Sequence, residues 1–512
     1  MEAPSAAAAA KAEPKGKMEI GDEYVRAHRQ DVPLIIEKHV PGAEGYRLPA
    51  NDVPARGMES LIPPDLLRGS PLRIPEVTEP EVVRHFIALS VLNHHVDKAL
   101  YPLGSCTMKY NPKINEEVSG IAGLAGLHPL APAEACRGMI DLLGRFGEEL
   151  ATVVGMDEIS LQPAAGAQGE MLGIRVARAY HEHKGNQKTT VLIPDSAHGT
   201  NPATVHMVGY AVQQLPSLPN GRLDLQRIRA AVNDQTAAIM VTNPNTVGLY
   251  ETDFREMAEL IHGVDGLVYM DGANLNALIG LVRPGDIGAD IVHINLHKTF
   301  STPHGGGGPG AGPIGVKKSL VPFLPMPRIV SEGGAYKVLT GGEHAVDRLH
   351  PYFGNVGIIL RAFAYLRGLG PEGLAAVSRA AIINANYLAK QVEQDYPTAH
   401  PGPCMHEFVT SLSWMKKHGV KNIDAAKRLL DEGYHAPTVS FPLIVPDCFM
   451  IEPTETETRA SLDAFAEALR KIAEEVRQDP SMVISAPHWT PVGRLDEAGA
   501  ARNLRLRWEW KD

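Results

Sequence analysis

Cysteine is scarce: four residues in 512, at positions 106, 136, 404 and 448, with no Cys-x-x-Cys pair. That spacing supports neither a disulfide framework nor a structural zinc site, and it points to a reducing compartment. No apolar run reaches the roughly 18 residues that a membrane-spanning helix needs. Positive charge is in deficit, 49 Lys and Arg against 59 Asp and Glu for a net charge of −10. This is the wrong balance for a nucleic-acid scaffold. No repeat with a period of roughly 20–50 residues is found, which disfavours solenoids and propellers. What remains is a chain long enough for about three domains, 44% hydrophobic and 21% charged. It is expected to be a soluble, cytoplasmic, globular protein.

Residues 1–17 (MEAPSAAAAAKAEPKGK) lack both a secretory apolar core and the arginine-rich pattern of a transit peptide, and a disordered tail is expected. Residues 18–117 are rich in proline, as in Leu61-Ile62-Pro63-Pro64, and predict an extended arm. Helical spacing begins near Pro132, with Ala133, Met139, Leu142, Leu143, Phe146 and Leu150 on one stripe. Between Glu158 and Lys318, apolar runs at Thr190–Ile193, Tyr210–Leu215, Ala237–Val241, Leu267–Met270 and Ile291–Leu296 are interleaved with helix-like stretches such as Asp224–Val232 and Phe254–Ile261. This is the α/β pattern of βαβ units in a mostly parallel sheet. Residues 118–345 are expected to form the large domain and 346–512 a smaller α+β domain. In the latter, a helix from Val356 is expected to close at Gly370-Pro371. Another is predicted from Thr454, through a Thr454-x-x-Glu457 capping box, to about Arg477. Its apolar face is Leu462, Phe465, Ala466, Leu469, Ile472, Ala473 and Val476.

Ligands in such a sheet sit at the carboxyl ends of the strands. Asp271 directly follows one apolar run, and Lys298 follows another with His297 between. A lysine and a carboxylate at one sheet edge suit pyridoxal phosphate, which needs an amine for a Schiff base and a carboxylate to keep its ring nitrogen protonated. A solvated loop lysine and a turn aspartate remain the alternative on residue type alone. Gln162–Gly169 opens a helix with small residues, a start suited to phosphate. It carries no G-x-G-x-x-G or G-K-[ST], so no nucleotide loop is indicated there. His198 lies past another strand end, where an imidazole could stack on a flat ring or simply be satisfied in its loop. His181-x-His183 and His94-His95 lack further ligands at metal spacing, and no metal site is indicated. The run His304–Gly312 is either a flexible linker or backbone held close to a cofactor or partner. The cluster Pro102–Pro112 is dense in small hydroxyl, thiol and turn residues, and composition assigns it no role.

Five segments together are specific: YPLGSCTMKYNPK at 101–113, DSAHGTNPA at 195–203, MDGANLNALIG at 270–280, NLHKTFSTPHGGGGPGAGPIGV at 295–316 and IEPTETE at 451–457. They resemble the P-protein family of the glycine cleavage system, in the form whose glycine dehydrogenase (decarboxylating) is divided into two subunits, and within it subunit 2. The likeness runs from about residue 20 to the C-terminus; single-chain members carry a second, homologous half that is not in this sequence. The resemblance implies a fold-type-I, aminotransferase-like pyridoxal phosphate enzyme, an oxidoreductase of glycine catabolism. It implies that Lys298 bears the cofactor, Asp271 holds the ring nitrogen and His198 stacks on the ring. Gly166, Ala167 and Gln168 would hold the phosphate, with Thr246 and His297 lining the site. Ser105, Cys106, Thr107 and Gly306 are expected along the substrate channel. The implied reaction is decarboxylation of glycine and transfer of the aminomethyl group to the lipoyl arm of H-protein. The implied partner is subunit 1, in a heterotetramer of two dimers. Another fold-type-I enzyme acting on a small amino acid would share Lys298 and Asp271 but not the 101–113 motif. A scaffold subunit would lack the lysine.

Overall fold

The apolar runs between positions 190 and 296 form five strands of a seven-stranded sheet, one of them at its edge, in a computed structural model that describes residues 32–70, 72, 74–128, 131–304 and 310–507. Its strands are β1 (Glu158–Ser160), β2 (Thr190–Pro194), β3 (Ala211–Leu215), β4 (Thr236–Thr242), β5 (Leu267–Gly272), β6 (Ile291–Ile294) and β7 (Ile314–Val316). They lie in the order β1-β7-β6-β5-β4-β2-β3. Strands β3, β2, β4, β5 and β6 pair in parallel, whereas β7 is antiparallel to both β6 and β1. Parallel neighbours need long crossovers, and helices Thr200–Val208, Leu225–Ala231 and Phe254–His262 supply chain between them, while helix Gly166–Lys184 joins β1 to β2. β4 and β5 are buried along their whole length, as strands covered on both faces must be. Phe146, Val268 and Met270 belong to the core on one face, and Leu172, Met240 and Tyr269 to the core on the other.

The register sets the site. Thr242 pairs with Asp271, and Asp271 with His293, so the three form a row across the carboxyl edge. Leu296, the last residue of the β6 apolar run, opens a short helical turn, Leu296–Thr299, that carries Lys298.

The helix anticipated near Pro132 begins at Arg137 and buries Met139, Leu143, Phe146 and Leu150, while Ala133 stays exposed outside it. A hairpin of β8 (Arg328–Glu332) and β9 (Ala335–Leu339) follows the sheet. The helical segment Val356–Val392 is broken at Gly370, whose φ of 63° and ψ of −177° are open essentially to glycine alone. The expected closure at Gly370-Pro371 is therefore present, and a second helical stretch starts at Pro371, where a helix tolerates proline. Its first half buries Ile358, Ile359 and Leu366 in the core beside the main sheet. Its second half gives Leu388 and Val392 to another core, which includes Phe408, Phe449 and Ile451. Those residues come from a three-stranded antiparallel sheet of β10 (Phe408–Ser411), β12 (Cys448–Ile451) and β11 (Thr438–Val439), with β12 central.

The helix predicted from Thr454 starts instead at Arg459, with Thr458 as N-cap accepting from the Ser461 N–H. An N-cap needs extended backbone. Thr458 has it, at φ −80° and ψ 158°, whereas Thr454 is left-handed at φ 66° and fully buried. The seven apolar residues anticipated for this helix are all buried.

Contacts divide the chain into two units. Residues 95–486 contain the elements from 137 onward just described. The other unit comprises described residues 32–94 and 487–507. In it, helix Glu79–Leu92 is opened by a Thr78–Glu81 capping box, and three single-turn 3-10 segments precede it. Leu48, Leu66, Phe86 and Ile87 of this unit are exposed. Among the described residues, no helix is long and apolar enough to cross a membrane.

Candidate active site

The carboxyl ends of β4, β5 and β6 and the start of helix Gly166–Lys184 enclose a cavity of about 220 Å³. Lys298, Asp271, His198, Gly166, Ala167, Thr246, His297 and Ser105 all line it. Gln168, Cys106 and Thr107 do not face it, and Gly306 lies outside the described residues.

Lys298 Nζ donates to the Ser105 carbonyl at 2.6 Å. Asp271 is buried, and three neighbours fix it. The Ala273 N–H donates to Oδ1 at 2.9 Å, Asn201 Nδ2 donates to Oδ2 at 3.2 Å, and His293 Nε2 stands 3.3 Å from Oδ1. Burial alone would raise the Asp271 carboxyl. His293, the Ala273 N–H, Asn201 and Lys298 together outweigh it and hold the group below its ordinary range. His293 is oriented in turn by Tyr269, whose hydroxyl lies 2.7 Å from Nδ1.

The first N–H groups of helix Gly166–Lys184 have no partner within the helix and carry its positive dipole end. Gln168 turns its side chain back, Oε1 accepting from the Ala164 N–H at 2.8 Å, and so offers its backbone rather than its amide. This start is kept narrow by glycine. A Cβ on Gly166 would lie 2.6 Å from Asn295 Oδ1, and one on Gly312 would lie 2.1 Å from the Ala165 carbonyl. The far end of the glycine-rich run is therefore backbone in close contact with Ala165 of the same chain.

His198 is exposed at the rim. Its Nδ1 lies 2.8 Å from Thr200 Oγ1, which donates to Glu170 Oε1 at 2.8 Å. The imidazole also meets Phe441 edge-on at 5.8 Å. Thr246 donates its proton to the Ser196 carbonyl at 2.6 Å, leaving only lone pairs for a ligand. Burial, with His304 and Lys298, pushes His297 down to about 3, so its ring is neutral. Burial pushes the Cys106 thiol up despite Lys298, which leaves little thiolate.

The residues present fit pyridoxal phosphate. An amine and an ionised carboxylate share the cavity with free helix N–H groups and an imidazole at its rim. Thr242 and Asn295 line the cavity, and their buried Oγ1 and Oδ1 have no hydrogen-bond partner among the described residues, as expected where a polar ligand supplies the bonds.

Several residues of the site escaped sequence reasoning. His293 was visible as the one polar residue inside the run Ile291–Ile294, and Glu170 as a buried acid on a helix face. Lys109, which lies outside the cavity but bonds the turn that carries Lys298, gave no signal, since its partners Asn276, Thr299, Tyr365 and Glu455 are distant in the chain.

Comparison with known proteins bears on the whole chain. The family model described as "Glycine cleavage system P-protein" matches residues 57–334, and one described as "Glycine dehydrogenase, C-terminal domain" matches residues 377–486. A probable glycine dehydrogenase (decarboxylating) subunit 2 from Chlorobium chlorochromatii is 51% identical over 475 residues, 93% of this chain and 99% of that protein. The protein of the same description from Shouchella clausii is 50% identical over 483 residues, 94% of this chain and 98% of its own length. Among solved structures, an inhibitor-bound glycine decarboxylase (P-protein) of the glycine cleavage system superposes with a TM-score of 0.70 at 23% identity, covering 81% of this chain and 95% of that one. Glutamate decarboxylase of Lactobacillus brevis superposes with a TM-score of 0.62 at 14% identity, covering 84% and 96%. Likeness at those identities establishes the fold, which is the fold-type-I architecture expected. Half of the residues shared along nearly the full length of both relatives establishes more: the chain belongs to the glycine cleavage system P-protein family.

Proposed function

We propose that this chain is the glycine-decarboxylating, pyridoxal phosphate-dependent subunit 2 of a glycine cleavage system, working in the cytoplasm with a subunit 1. The observation that carries the reading is the meeting, in one cavity, of the Lys298 amine, the ionised Asp271 carboxylate and the open start of helix Gly166–Lys184.

When bound there, the cofactor supplies an electron sink for the charge left on carbon as CO2 departs. Lys298 would hold it covalently and carry protons at Nζ. Asp271, kept ionised by His293 and Asn201, would keep the ring nitrogen protonated. Helix N–H groups of Gly166, Ala167 and Gln168 would bind the phosphate. His198, braced by Thr200 and Glu170, would cover the ring face. The neutral His297 and the lone pairs of Thr246 complete the walls without adding charge.

The aminomethyl group would pass to the lipoyl arm of H-protein through a channel that Ser105, Cys106 and Thr107 would border. The exposed apolar side chains of residues 32–94 support a partner surface, and a heterotetramer with two copies of each subunit is the assembly this reading requires. The division at residue 345 into a large cofactor-binding and a smaller C-terminal domain belongs to the same reading.

Borohydride reduction of the complex with cofactor, followed by peptide mapping, should place the adduct on Lys298, and Lys298→Ala should abolish both adduct and glycine decarboxylation. An adduct on Lys317 would overturn the assignment. Release of labelled CO2 from glycine should depend on lipoylated H-protein; rapid release with free methylamine in its absence would instead identify a simple decarboxylase.

A further inference from the structure

We propose that Glu407 and Glu452 are positioning residues for Lys298: two buried carboxyl groups that clamp the strap Gly104–Thr107 so that the Ser105 carbonyl receives the lysine amine. The inference rests on the reading of Lys298 given above.

The strap does not hold its own shape. Ser105 and Thr107 have φ of 63° and 40°, left-handed values that residues with a side chain adopt only when something outside imposes them. Each is imposed by one acid. The Ser105 N–H donates to Glu407 Oε2 at 2.7 Å, and the Thr107 N–H donates to Glu452 Oε2 at 3.0 Å. Of the two carbonyls between these N–H groups, that of Ser105 accepts from Lys298 Nζ at 2.6 Å. At the other end, the Gly104 N–H donates to the Met450 carbonyl at 3.2 Å, and Thr438 Oγ1 donates to the Gly104 carbonyl at 2.7 Å.

The small sheet builds this clamp. Phe408 of β10 pairs with Ile451 of β12; Glu407 precedes one and Glu452 follows the other, so antiparallel register brings both acids to the same end of the pair. Both are fully buried. Glu407 Oε1 also accepts from Asn274 Nδ2 at 3.3 Å, and Asn274 lines the cofactor cavity three residues beyond Asp271. The clamp thus spans both sides of the cavity.

His406 is also fully buried, and among the described residues neither ring nitrogen has a hydrogen-bond partner. Its Nε2 lies 3.9 Å from Glu407 Oε1 and 4.0 Å from Glu452 Oε1. That is wider than the roughly 3.4 Å between ligand atoms set about 2.1 Å from a tetrahedral zinc. Two carboxyls buried together cannot both ionise easily. Burial and the neighbouring Glu452 push Glu407 well above the usual carboxyl range, burial pushes Glu452 up to about 7, and burial pushes His406 down to about 3. The charged neighbours acting on Glu407 and Glu452 include Lys298 and, for Glu452, Glu455. A proton is therefore held on the acid pair, and the clamp works through lone pairs. Glutamine has the same shape and retains an accepting oxygen.

The test uses the full chain assembled with its partner subunit and freed of cofactor. The rate at which a small acylating reagent modifies Lys298 is read by peptide mass spectrometry, and thermal unfolding is followed in parallel. Releasing the Ser105 carbonyl should free the amine. Glu407→Ala should raise Lys298 acylation about tenfold and Glu407→Gln should leave it within about twofold of the native rate. If Glu407→Ala does not fold, Thr438→Val, which unties Gly104, should raise the rate about threefold. Acylation unchanged in Glu407→Ala or, where that variant does not fold, in Thr438→Val would overturn the proposal. A glutamine variant as reactive as the alanine one would also overturn it. So would stoichiometric metal that purifies with the native complex and is lost in Glu452→Gln, because the acids would then be ligands. Failure of the Lys298 reading is separate: it would show as a borohydride adduct on another residue of the native chain.

Discussion

Lys109 and Lys298 both turn an amine into the protein beside the same short helical turn, and they differ in how many groups receive it. Lys109 Nζ donates to Asn276 Oδ1, the Thr299 carbonyl and Glu455 Oε1, each at 2.8 Å, and to Tyr365 at 3.0 Å. Its protons are fully used. Burial alone would lower its pKa, but Glu455 and Tyr365 more than compensate and hold it above the ordinary lysine value. Lys298 has the Ser105 carbonyl alone among the described residues, in a cavity where Thr242 and Asn295 keep unpartnered atoms. A saturated lysine fixes architecture; an unsaturated one stays available for chemistry. Here the first holds the second in place, because the Thr299 carbonyl bound by Lys109 belongs to the residue after Lys298.

The comparison can be broken or sharpened in four ways, the largest effect first. Asp271→Asn removes the charge that suits the open region to the proposed cofactor. Decarboxylation should fall about 10²–10³-fold while the fold and most cofactor absorbance remain; near-normal turnover would place the electron-sink partner elsewhere. Lys109→Met leaves Glu455 without its cation in a nearly closed environment. It should cost about 3–5 kcal/mol in chemical unfolding, against about 1 kcal/mol or less for Lys298→Met. Equal losses would erase the distinction between the two lysines.

Gly312→Ala tests the wall of the open region. The new Cβ would meet the Ala165 carbonyl, at a cost of about 1–3 kcal/mol. Weaker phosphate binding should accompany it, measured as the affinity for cofactor.

The smallest effect is in pH dependence. Glu452 titrates near 7 when folded, against 4.5 in its ordinary state. The folded chain therefore binds more proton between those values, and the stability this group contributes is present at low pH and lost as pH rises through about 7. Replacing it with Gln removes that dependence, so the unfolding midpoint of Glu452→Gln should gain on the native chain between about pH 5 and pH 8. A constant difference across that window would show that Glu452 does not carry the proton.

Much of the large sheet was legible because strands covered on both faces leave uninterrupted apolar runs, and the residues ending two of them, Asp271 and Lys298, could be placed from that alone. Thr454 misled for a local reason: its T-x-x-E spacing suits a cap, but its backbone is spent on a buried left-handed turn whose carbonyl accepts from Asn384. The role of the 101–113 motif was unreadable in the chain itself. Ser105 and Thr107 meet their acids across 302 and 345 residues, and no local pattern encodes a partner so far away. His406-Glu407 looks like any polar pair until β10 and β12 bring Glu452 beside it.

The segment Val356–Val392 has a consequence for how the molecule comes apart. One continuous stretch supplies side chains to the core beside the large sheet and to that of the small one, so neither assembly is complete while the other is open. The break at Gly370 bends the segment without cutting it. Residues 95–486 should therefore behave as one foldon, with the slowest amide hydrogens of β5 and of β12 exchanging through the same opening event. Cleavage of the chain at residue 370 should leave them coupled, because the stretch beyond it gives Leu374 and Val377 to the first core and Leu388 and Val392 to the second.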